Sequence, residues 1–298
     1  MNFSEKLKKR VDFIINKIWR KTPLVILYSL APSTFFQKQN GRLWINNYLE
    51  KKGFVKNNNK NKIFELDNLK FFYSDHIPTG DIVSILLSRK PFIKTNFLNN
   101  PLTDFEQPYE STNVFLEEND IVIDAGANIG VFSIFASKQI GKNGHVFAFE
   151  PIKRTNQLLI KNIETNFIKN IQAIPYALGD TNINISFFVD KDKLVSSSSE
   201  IQNENAEIEN VEQITLDSFL EKNTDINKID FIKVDIEGAE RKFLEGAKQT
   251  IQKYKPKIAI CTYHLPDDPE VIEQKIRSYV PKYKIQNTKT KLFAWIEK

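Results

Sequence analysis

The sequence predicts an α/β fold in which a mostly parallel, doubly wound sheet follows a basic, largely helical N-terminal extension. Three observations predict this arrangement. Short apolar strands alternate with helices from residue 119 onwards, which is typical of parallel strands joined by right-handed crossovers. A glycine-containing turn joins the first of these strands to the next helix. Residues 1–60 contain 13 Lys and Arg against 3 Asp and Glu, whereas the rest of the chain has an excess of acids.

The extension is assigned to residues 1–110. Its predicted elements are helices at 4–31 and 41–52, a polar loop at 56–62, a hairpin at 63–73 and a short helix capped by Asp81. The first helix combines basic residues with an apolar face that includes Phe13, Ile14, Ile18 and Trp19. Such a face can contact an anionic membrane, the body of the protein or a second copy of the chain. Peripheral membrane contact through residues 1–60 and a homo-oligomer both stay open.

The second domain, residues 111–298, carries the alternation of strands and helices. Apolar runs typical of buried strands occur at 121–124, 145–149, 171–175, 229–235 and 257–262, and helices are predicted at 130–140, 153–167, 239–253 and 268–279. Strands at 184–189 and 207–215 flank a loop that contains 196–199, and Asp217 is expected to cap the helix that follows. The chain is predicted to close with an antiparallel hairpin formed by 283–286 and 291–296.

The composition excludes several classes of protein. With 298 residues, 41% hydrophobic and 27% charged, the chain is close to the average of globular proteins, which excludes collagen-like, disordered and disulfide-scaffold classes. Cys261 is the only cysteine, which excludes an intramolecular disulfide and favours a reducing compartment. The longest apolar run near the start is about half of the ~20 residues that a spanning helix needs. We therefore expect a cytoplasmic location, with membrane-peripheral contact as the alternative.

The turn after the first strand carries the first candidate site residues. Its sequence, DAGANIG at 124–130, begins with Asp124 and places Gly126 and Gly130 where a tight turn and close helix packing need them. This spacing differs from the Gly-x-Gly-x-x-Gly pattern of dinucleotide sites. Glu150 ends the second strand, where a carboxylate can accept hydrogen bonds from ribose hydroxyls. A cofactor with a ribose and a cationic amino group but no phosphate fits both acids, which favours S-adenosylmethionine over a nicotinamide dinucleotide.

Five segments in order along the chain resemble the FkbM family of S-adenosylmethionine-dependent methyltransferases. They are VIDAGANIGVFS at 122–133, AFEP at 148–151, YALGD at 176–180, TLD at 215–217 and IKVDIEGAE at 232–240. The resemblance implies a Rossmann-like methyltransferase fold and O-methylation, often of sugars or polyketides. It places Asp124, Gly126 and Asn128 at the methionine end of the cofactor, Glu150 on the ribose, and Ala177 and Leu178 beside the adenine. The alternative for Ala177 and Leu178 is ordinary core packing.

The candidate catalytic residues follow the fourth and fifth strands. Lys233, Asp235 and Glu237 alternate, so we expect their side chains on one side of the sheet, where an acid can orient or deprotonate an acceptor hydroxyl. The alternative is a structural ion pair between Lys233 and one acid. His264 can act as a general base near neutral pH or be a structural residue. The family often carries Glu-x-His here, whereas this chain reads CTYH at 261–264 and lacks the glutamate.

These predictions lead to one principal functional hypothesis and several alternatives. We expect an O-methyltransferase that acts on a hydroxyl of a small molecule, a sugar or a lipid-linked glycan. No dedicated metal site is predicted, although a Mg²⁺-dependent variant using Asp235 and Glu237 stays open. A non-catalytic binding or scaffolding protein with the same fold is the alternative from another class. We do not expect a nucleic-acid substrate, because the chain lacks an Asn/Asp-Pro-Pro-Tyr/Phe motif and the body carries negative charge.

Overall fold

The computed structural model describes residues 39–51, 53–74, 77–88, 106–190, 193–198 and 206–297. The predicted helix at 4–31 and its apolar face lie outside these residues. Membrane contact and a homo-oligomer therefore stay predictions, as does a domain boundary at 110. None of the helices within these ranges has the length and apolar character needed to cross a membrane.

The described part of the N-terminal region contains two helices and a three-stranded antiparallel sheet. In chain order these elements are α1 (Gln39–Lys51), β1 (Lys56–Asn58), β2 (Ile63–Leu66), β3 (Leu69–Phe72) and α2 (Thr79–Ser88). The predicted second helix and hairpin are confirmed. The prediction of a loop over 56–62 is wrong for its first three residues, which pair with β2 as an edge strand. The backbone makes the hydrogen bonds of a ladder, so polar side chains do not prevent the pairing.

The rest of the chain forms a central sheet with helices on both faces and a smaller sheet at one side. Its elements in chain order are β4 (Ile121–Ala125), α3 (Val131–Gln139), β5 (His145–Phe149), α4 (Lys153–Thr165), β6 (Ile171–Ile174), β7 (Ala177–Leu178), β8 (Ile183–Asp190), β9 (Lys193–Ser198), β10 (Ala206–Ile214), α5 (Leu216–Lys222), β11 (Phe231–Val234), α6 (Glu240–Gly246), α7 (Lys248–Tyr254), β12 (Lys257–Cys261), α8 (Asp268–Tyr279), β13 (Lys284–Asn287) and β14 (Lys291–Trp295).

The central sheet has seven strands in the order β13-β14-β12-β11-β4-β5-β6. Strands β4, β5, β6, β11 and β12 are parallel, whereas β14 is antiparallel to both β12 and β13. The predicted doubly wound sheet and the C-terminal antiparallel hairpin are therefore confirmed. The order of the strands reverses between β4 and β11. In sheets of this type, ligands bind outside the carboxyl ends of the strands at such a switch point.

Side chains of the central strands alternate between two hydrophobic cores, as the period of a strand requires. Val122 and Val146 pack into a core with α3, α4 and the N-terminal region. Ile123 and Phe147 pack on the opposite face with α5, α6, α7 and α8. The described N-terminal elements thus share a core with the main sheet, and this packing fixes their position against its carboxyl edge.

Three local predictions need correction. The loop that was expected to contain 196–199 is strand at 196–198, since these residues belong to β9, which pairs with β8 in the smaller sheet of order β7-β10-β8-β9. Residue 199 lies outside the described residues. The helix expected at 239–253 is two helices, divided at Ala247. Asp217 does not cap α5, because the Thr215 side chain accepts from Ser218 N at 3.0 Å. The Asp217 carboxylate instead accepts from Thr250 N at 2.8 Å, in the first turn of α7.

Asn162 on α4 attaches the N-terminal sheet to the central domain. Its Oδ1 accepts from Phe72 N at 2.6 Å, and its Nδ2 donates to Phe72 O at 3.1 Å and Ile129 O at 2.8 Å. We expect Asn162→Leu to lower the free energy of unfolding by about 2–3 kcal/mol, because buried backbone groups lose their partners. Asn166→Leu is the matched control, since Asn166 bonds Lys70 in the same way at a more exposed position. Equal losses in urea denaturation would contradict this role for Asn162.

Candidate active site

The carboxyl edge of the central sheet brings the predicted catalytic residues and most of the predicted cofactor residues together. The turn after β4 lies beside the end of β11, where Asp235 N donates to Ala125 O at 3.1 Å. Gly126 has φ +79°, and a Cβ added there would lie 1.9 Å from Asp235 O. Gly130 has φ +90°, and its Cβ would lie 2.5 Å from a methyl group of Leu159. Only glycine fits these two positions.

Glu150 presents a buried carboxylate at the end of β5. Its Oε2 accepts from Asn128 N at 2.9 Å, its Oε1 accepts from Ile152 N at 3.0 Å, and the residue is 7% exposed. Burial raises the pKa of Glu150 to about 7, although these two N–H groups act to lower it. Each oxygen retains a second lone pair. The carboxylate can therefore accept hydrogen bonds from two hydroxyls of one ligand.

Asp124 and Lys233 form a buried ion pair below the turn. Lys233 Nζ lies 3.0 Å from Asp124 Oδ1 and donates to Gly126 O at 2.6 Å, while Ser133 Oγ donates to Asp124 Oδ2. Asp124 is fully buried. Lys233 thus neutralises this carboxylate, and its contact with the amino group of a cofactor stays a prediction. The structural ion pair, which the sequence analysis left as the alternative for Lys233, is confirmed.

Tyr109 links two further acids at this edge. Its hydroxyl lies 2.8 Å from Asp235 Oδ2 and 3.1 Å from Asp81 Oδ1, and Asn128 Nδ2 donates to Asp81 Oδ2 at 3.4 Å. Burial raises the pKa of Asp81 to about 6. Burial also acts to raise the pKa of Asp235, but Lys233, Lys291, His264 and the Tyr109 hydroxyl together outweigh it and the pKa is lowered. The Tyr109 hydroxyl can donate its one hydrogen to only one of these acids at a time. Asp81 has the higher pKa and therefore takes up a proton before Asp235 as the pH falls.

Lys291 on β14 holds the segment that carries Tyr109. Its Nζ pairs with Glu106, donates to Gln107 O at 2.8 Å and lies 4.4 Å from the centre of the Tyr109 ring. Lys291 is buried. A buried ammonium group that is bonded to both Glu106 and the neighbouring carbonyl fixes the backbone before Tyr109. The N-terminal region therefore contributes side chains to the site as well as packing.

Glu240 and His264 form the other side of the acidic cluster. Glu240 is fully buried and accepts from Ile236 N at 3.0 Å and Gly238 N at 3.1 Å. His264 Nδ1 lies 3.1 Å from Glu240 Oε1, and Nε2 lies 3.5 Å from Glu237 Oε2. Burial acts to lower the pKa of His264, but the two acids outweigh it and raise the pKa to about 10. A protonated imidazole has no lone pair to offer, which disfavours the predicted role of His264 as a base.

The remaining predicted residues differ in how far they approach this edge. Glu237 lies in the turn after β11 with φ +56°, and its side chain is 38% exposed. Ala177 packs with Ile152 in a small core, and Leu178 packs in the core that α5 to α8 cover. Core packing, the alternative reading of these two residues, is thus what the structure contains, and their contact with adenine stays a prediction.

Sequence reasoning missed four residues of this site: Asp81, Tyr109, Glu240 and Lys291. Asp81 carries the sequence signal of a helix cap, yet its carboxyl group contacts Tyr109 and Asn128. Glu240 ends the segment 232–240 and begins α6, so its position in that motif was available as a signal. Tyr109 and Lys291 give no local signal, because only tertiary packing brings them together.

Comparisons with known proteins agree with the fold. The family model described as the methyltransferase FkbM domain matches residues 124–284. Methyltransferase 1 of Beauveria bassiana (strain ARSEF 2860) is 25% identical over 175 residues, which cover 49% of this chain and 70% of that protein. Methyltransferase sdnD of Sordaria araneosa is 24% identical over 163 residues, 45% of this chain and 62% of that protein.

One solved structure, methyltransferase FkbM from Methylobacillus flagellatus KT, is 25% identical in sequence, with a TM-score of 0.46. The match covers 61% of this chain and 45% of that one. The chain thus spans less than half of that relative.

Proposed function

The chain belongs to the FkbM family of methyltransferases, and on that premise we propose that it methylates a hydroxyl group of a sugar or glycan with S-adenosylmethionine as donor. The observation that carries the proposal is the fixed, buried carboxylate of Glu150 beside the Gly126 turn at the switch point of the sheet. When bound, S-adenosylmethionine supplies a methyl group activated on a sulfonium sulfur. The residues of this chain bind the cofactor and position the acceptor hydroxyl.

The cofactor side of the site is assigned to Glu150, Asn128 and Asp81. The free lone pairs of Glu150 suit two ribose hydroxyls. Lys233 neutralises Asp124, so Asp81 replaces it as the acid for the cationic amino group. At neutral pH Asp81 is mostly ionised, since its pKa is about 6. Asn128 contacts both acids and ties the two ends of the cofactor site together.

The acceptor side is assigned to Asp235, Glu237 and Tyr263. The Tyr263 ring is 46% exposed and its hydroxyl donates to Asp235 Oδ1 at 3.4 Å. An exposed aromatic ring beside carboxylates offers one apolar face and several hydrogen-bond acceptors. A sugar presents apolar C–H faces and hydroxyl donors, which complement both. This match supports a polyhydroxyl acceptor.

The residues act mainly by positioning. Alignment of donor and acceptor can supply roughly 7–11 kcal/mol of the barrier, more than the roughly 10²–10⁴-fold of a general base. Asp235 is ionised, because the effect of burial on its pKa is outweighed by Lys233, Lys291 and the other groups around it. Its carboxylate can accept the hydrogen of the acceptor hydroxyl and hold the oxygen toward the donor, and Tyr109 fixes the orientation of that carboxylate.

We expect Asp235→Asn to lower the methylation rate roughly 10–100-fold and to leave the affinity for S-adenosylhomocysteine within about threefold of the wild type. The reason is that the amide keeps the shape but cannot accept the proton. Transfer of a labelled methyl group is measured against sugars, lipid-linked glycans and small alcohols, and affinity by calorimetry. Asp225→Asn, at an exposed turn, is the control. A folded wild type that binds no S-adenosylhomocysteine would disprove the proposed function.

A further inference from the structure

Three ligand atoms converge beside the proposed acceptor site. Asp235, Glu240 and His264 each present one oxygen or nitrogen, and these atoms all lie within 4.8 Å of one another. Asp235 follows β11, Glu240 begins α6 and His264 follows β12. Residues from the ends of three elements thus converge at the carboxyl edge of the sheet, where the sequence predicted only Asp235 and Glu237 for a cation.

The imidazole of His264 is buried between the carboxylates of Glu240 and Glu237. Its side chain is 6% exposed, and neither ring nitrogen has a partner in hydrogen-bonding geometry, although Glu240 Oε1 lies 3.1 Å from Nδ1. A buried polar group in poor hydrogen-bonding geometry destabilises the fold. The separation of 3.1 Å suits two atoms that bind the same ion, since ligand atoms about 2.0–2.2 Å from a metal lie about 3 Å apart.

The two carboxylates are held in place by groups behind them. Ile236 N and Gly238 N donate to the two oxygens of Glu240, at 3.0 and 3.1 Å. The hydroxyl of Tyr109 lies 2.8 Å from Asp235 Oδ2. Both acids retain lone pairs beyond these bonds. Hydrogen bonds of this kind from a second layer of groups orient the ligands of metal sites.

The local charge favours a cation. Asp235, Glu237 and Glu240 lie together around His264. The two nearby lysines have other partners: Lys233 pairs with Asp124, and Lys291 pairs with Glu106. The protonated imidazole supplies one positive charge against these three acids, whereas a divalent ion that displaces its proton would supply two.

We propose that Asp235, Glu240 and His264 bind one divalent cation of the Mn²⁺ or Zn²⁺ type. An imidazole together with two carboxylates suits these ions, whereas Mg²⁺ and Ca²⁺ prefer oxygen ligands alone. The ion displaces the proton that His264 otherwise carries, and the nitrogen lone pair that this exposes binds the ion. Three protein ligands leave coordination positions for water or for an oxygen of the acceptor. A cation here would lower the pKa of a hydroxyl bound to it. That role rests on the proposed function, whereas the binding of the cation does not.

The test uses the full chain, freed of metal with EDTA and titrated with Mn²⁺ while the free ion is followed by EPR. We expect one Mn²⁺ per chain, displacement by Zn²⁺, and a coupling to ¹⁴N in the pulsed EPR spectrum of the wild-type complex, since His264 supplies the only nitrogen ligand. Glu240→Gln and His264→Gln should each weaken binding roughly tenfold or more. Glu245→Gln is the control, because this partly exposed acid lies on the same helix.

Two results would overturn the inference: no saturable binding by the wild type, or binding without the ¹⁴N coupling. The ¹⁴N coupling is measured on the wild-type protein, so the test stands even when a variant fails to fold. Calorimetry with S-adenosylhomocysteine on the same sample separates the two proposals. A sample that binds S-adenosylhomocysteine but does not bind Mn²⁺ would reject the cation site and keep the proposed function. A sample that binds Mn²⁺ but not S-adenosylhomocysteine would reject the proposed function and keep the cation site.

Discussion

Replacing Lys233 by methionine is expected to destabilise the protein by about 3–5 kcal/mol, since this leaves Asp124 as an uncompensated buried charge. Asp124 is fully buried, and its two oxygens contact Lys233 and Ser133. The variant also removes the hydrogen bond from Lys233 to Gly126 O, which supports the turn after β4. The free energy of unfolding is measured by urea denaturation at pH 7.

The matched control for this prediction is Lys228→Met. Lys228 pairs with Asp230 at 2.7 Å, but both side chains are substantially exposed. Exposed pairs contribute about 0–1 kcal/mol. We expect Lys228→Met to stay within that range. A loss of less than about 1 kcal/mol for Lys233→Met would show that the buried pair does not support the turn.

The central sheet was predictable because its strands carry their own signal. Runs such as 121–124 and 257–262 are apolar and short, and their alternation with helices determines a parallel arrangement. The two strands that were predicted as loops are polar. The strand Lys56–Asn58 and the end of β9 at 196–198 contain few apolar residues, so nothing local distinguishes them from loops. Their backbone pairs only because a neighbouring strand is present.

The candidate site was predictable only on the strands and turns that carry motifs. Glu150 and Gly126 occupy positions that the strand and its turn determine, and both lie where the sequence predicts. The pairing of Asp124 with Lys233 was not predictable, because the two residues are 109 positions apart and sequence alone does not say which acid a buried lysine neutralises. Asp81 does not cap α2 as the sequence predicts, because the helix begins two residues earlier, at Thr79. Its carboxyl group instead contacts Tyr109, 28 residues away, which sequence alone does not indicate.

Glu150→Gln is expected to weaken the binding of S-adenosylhomocysteine roughly 10²–10⁴-fold. The carboxylate offers acceptors to two ribose hydroxyls, and each hydrogen bond to a charged group contributes about 1.5–3 kcal/mol. The amide offers one acceptor, and its NH₂ group would face an N–H of Asn128 or Ile152. Isothermal calorimetry measures the affinity. Glu164→Gln, an exposed acid on α4, is the control and should bind as the wild type does.

The pH dependence of the affinity for S-adenosylhomocysteine tests whether the carboxylate of Glu150 holds the ribose. Burial raises its pKa to about 7, so the group is mostly protonated at pH 6 and mostly ionised at pH 8. Only the ionised form offers all its lone pairs, so we expect the affinity of the wild type to rise about tenfold from pH 6 to pH 8. In Glu150→Gln this rise should disappear, and any remaining dependence centred near pH 6 belongs to Asp81, whose pKa is about 6. If the variant keeps the full tenfold rise, the ribose is not held by Glu150, and the cofactor side of the site must be assigned to other residues.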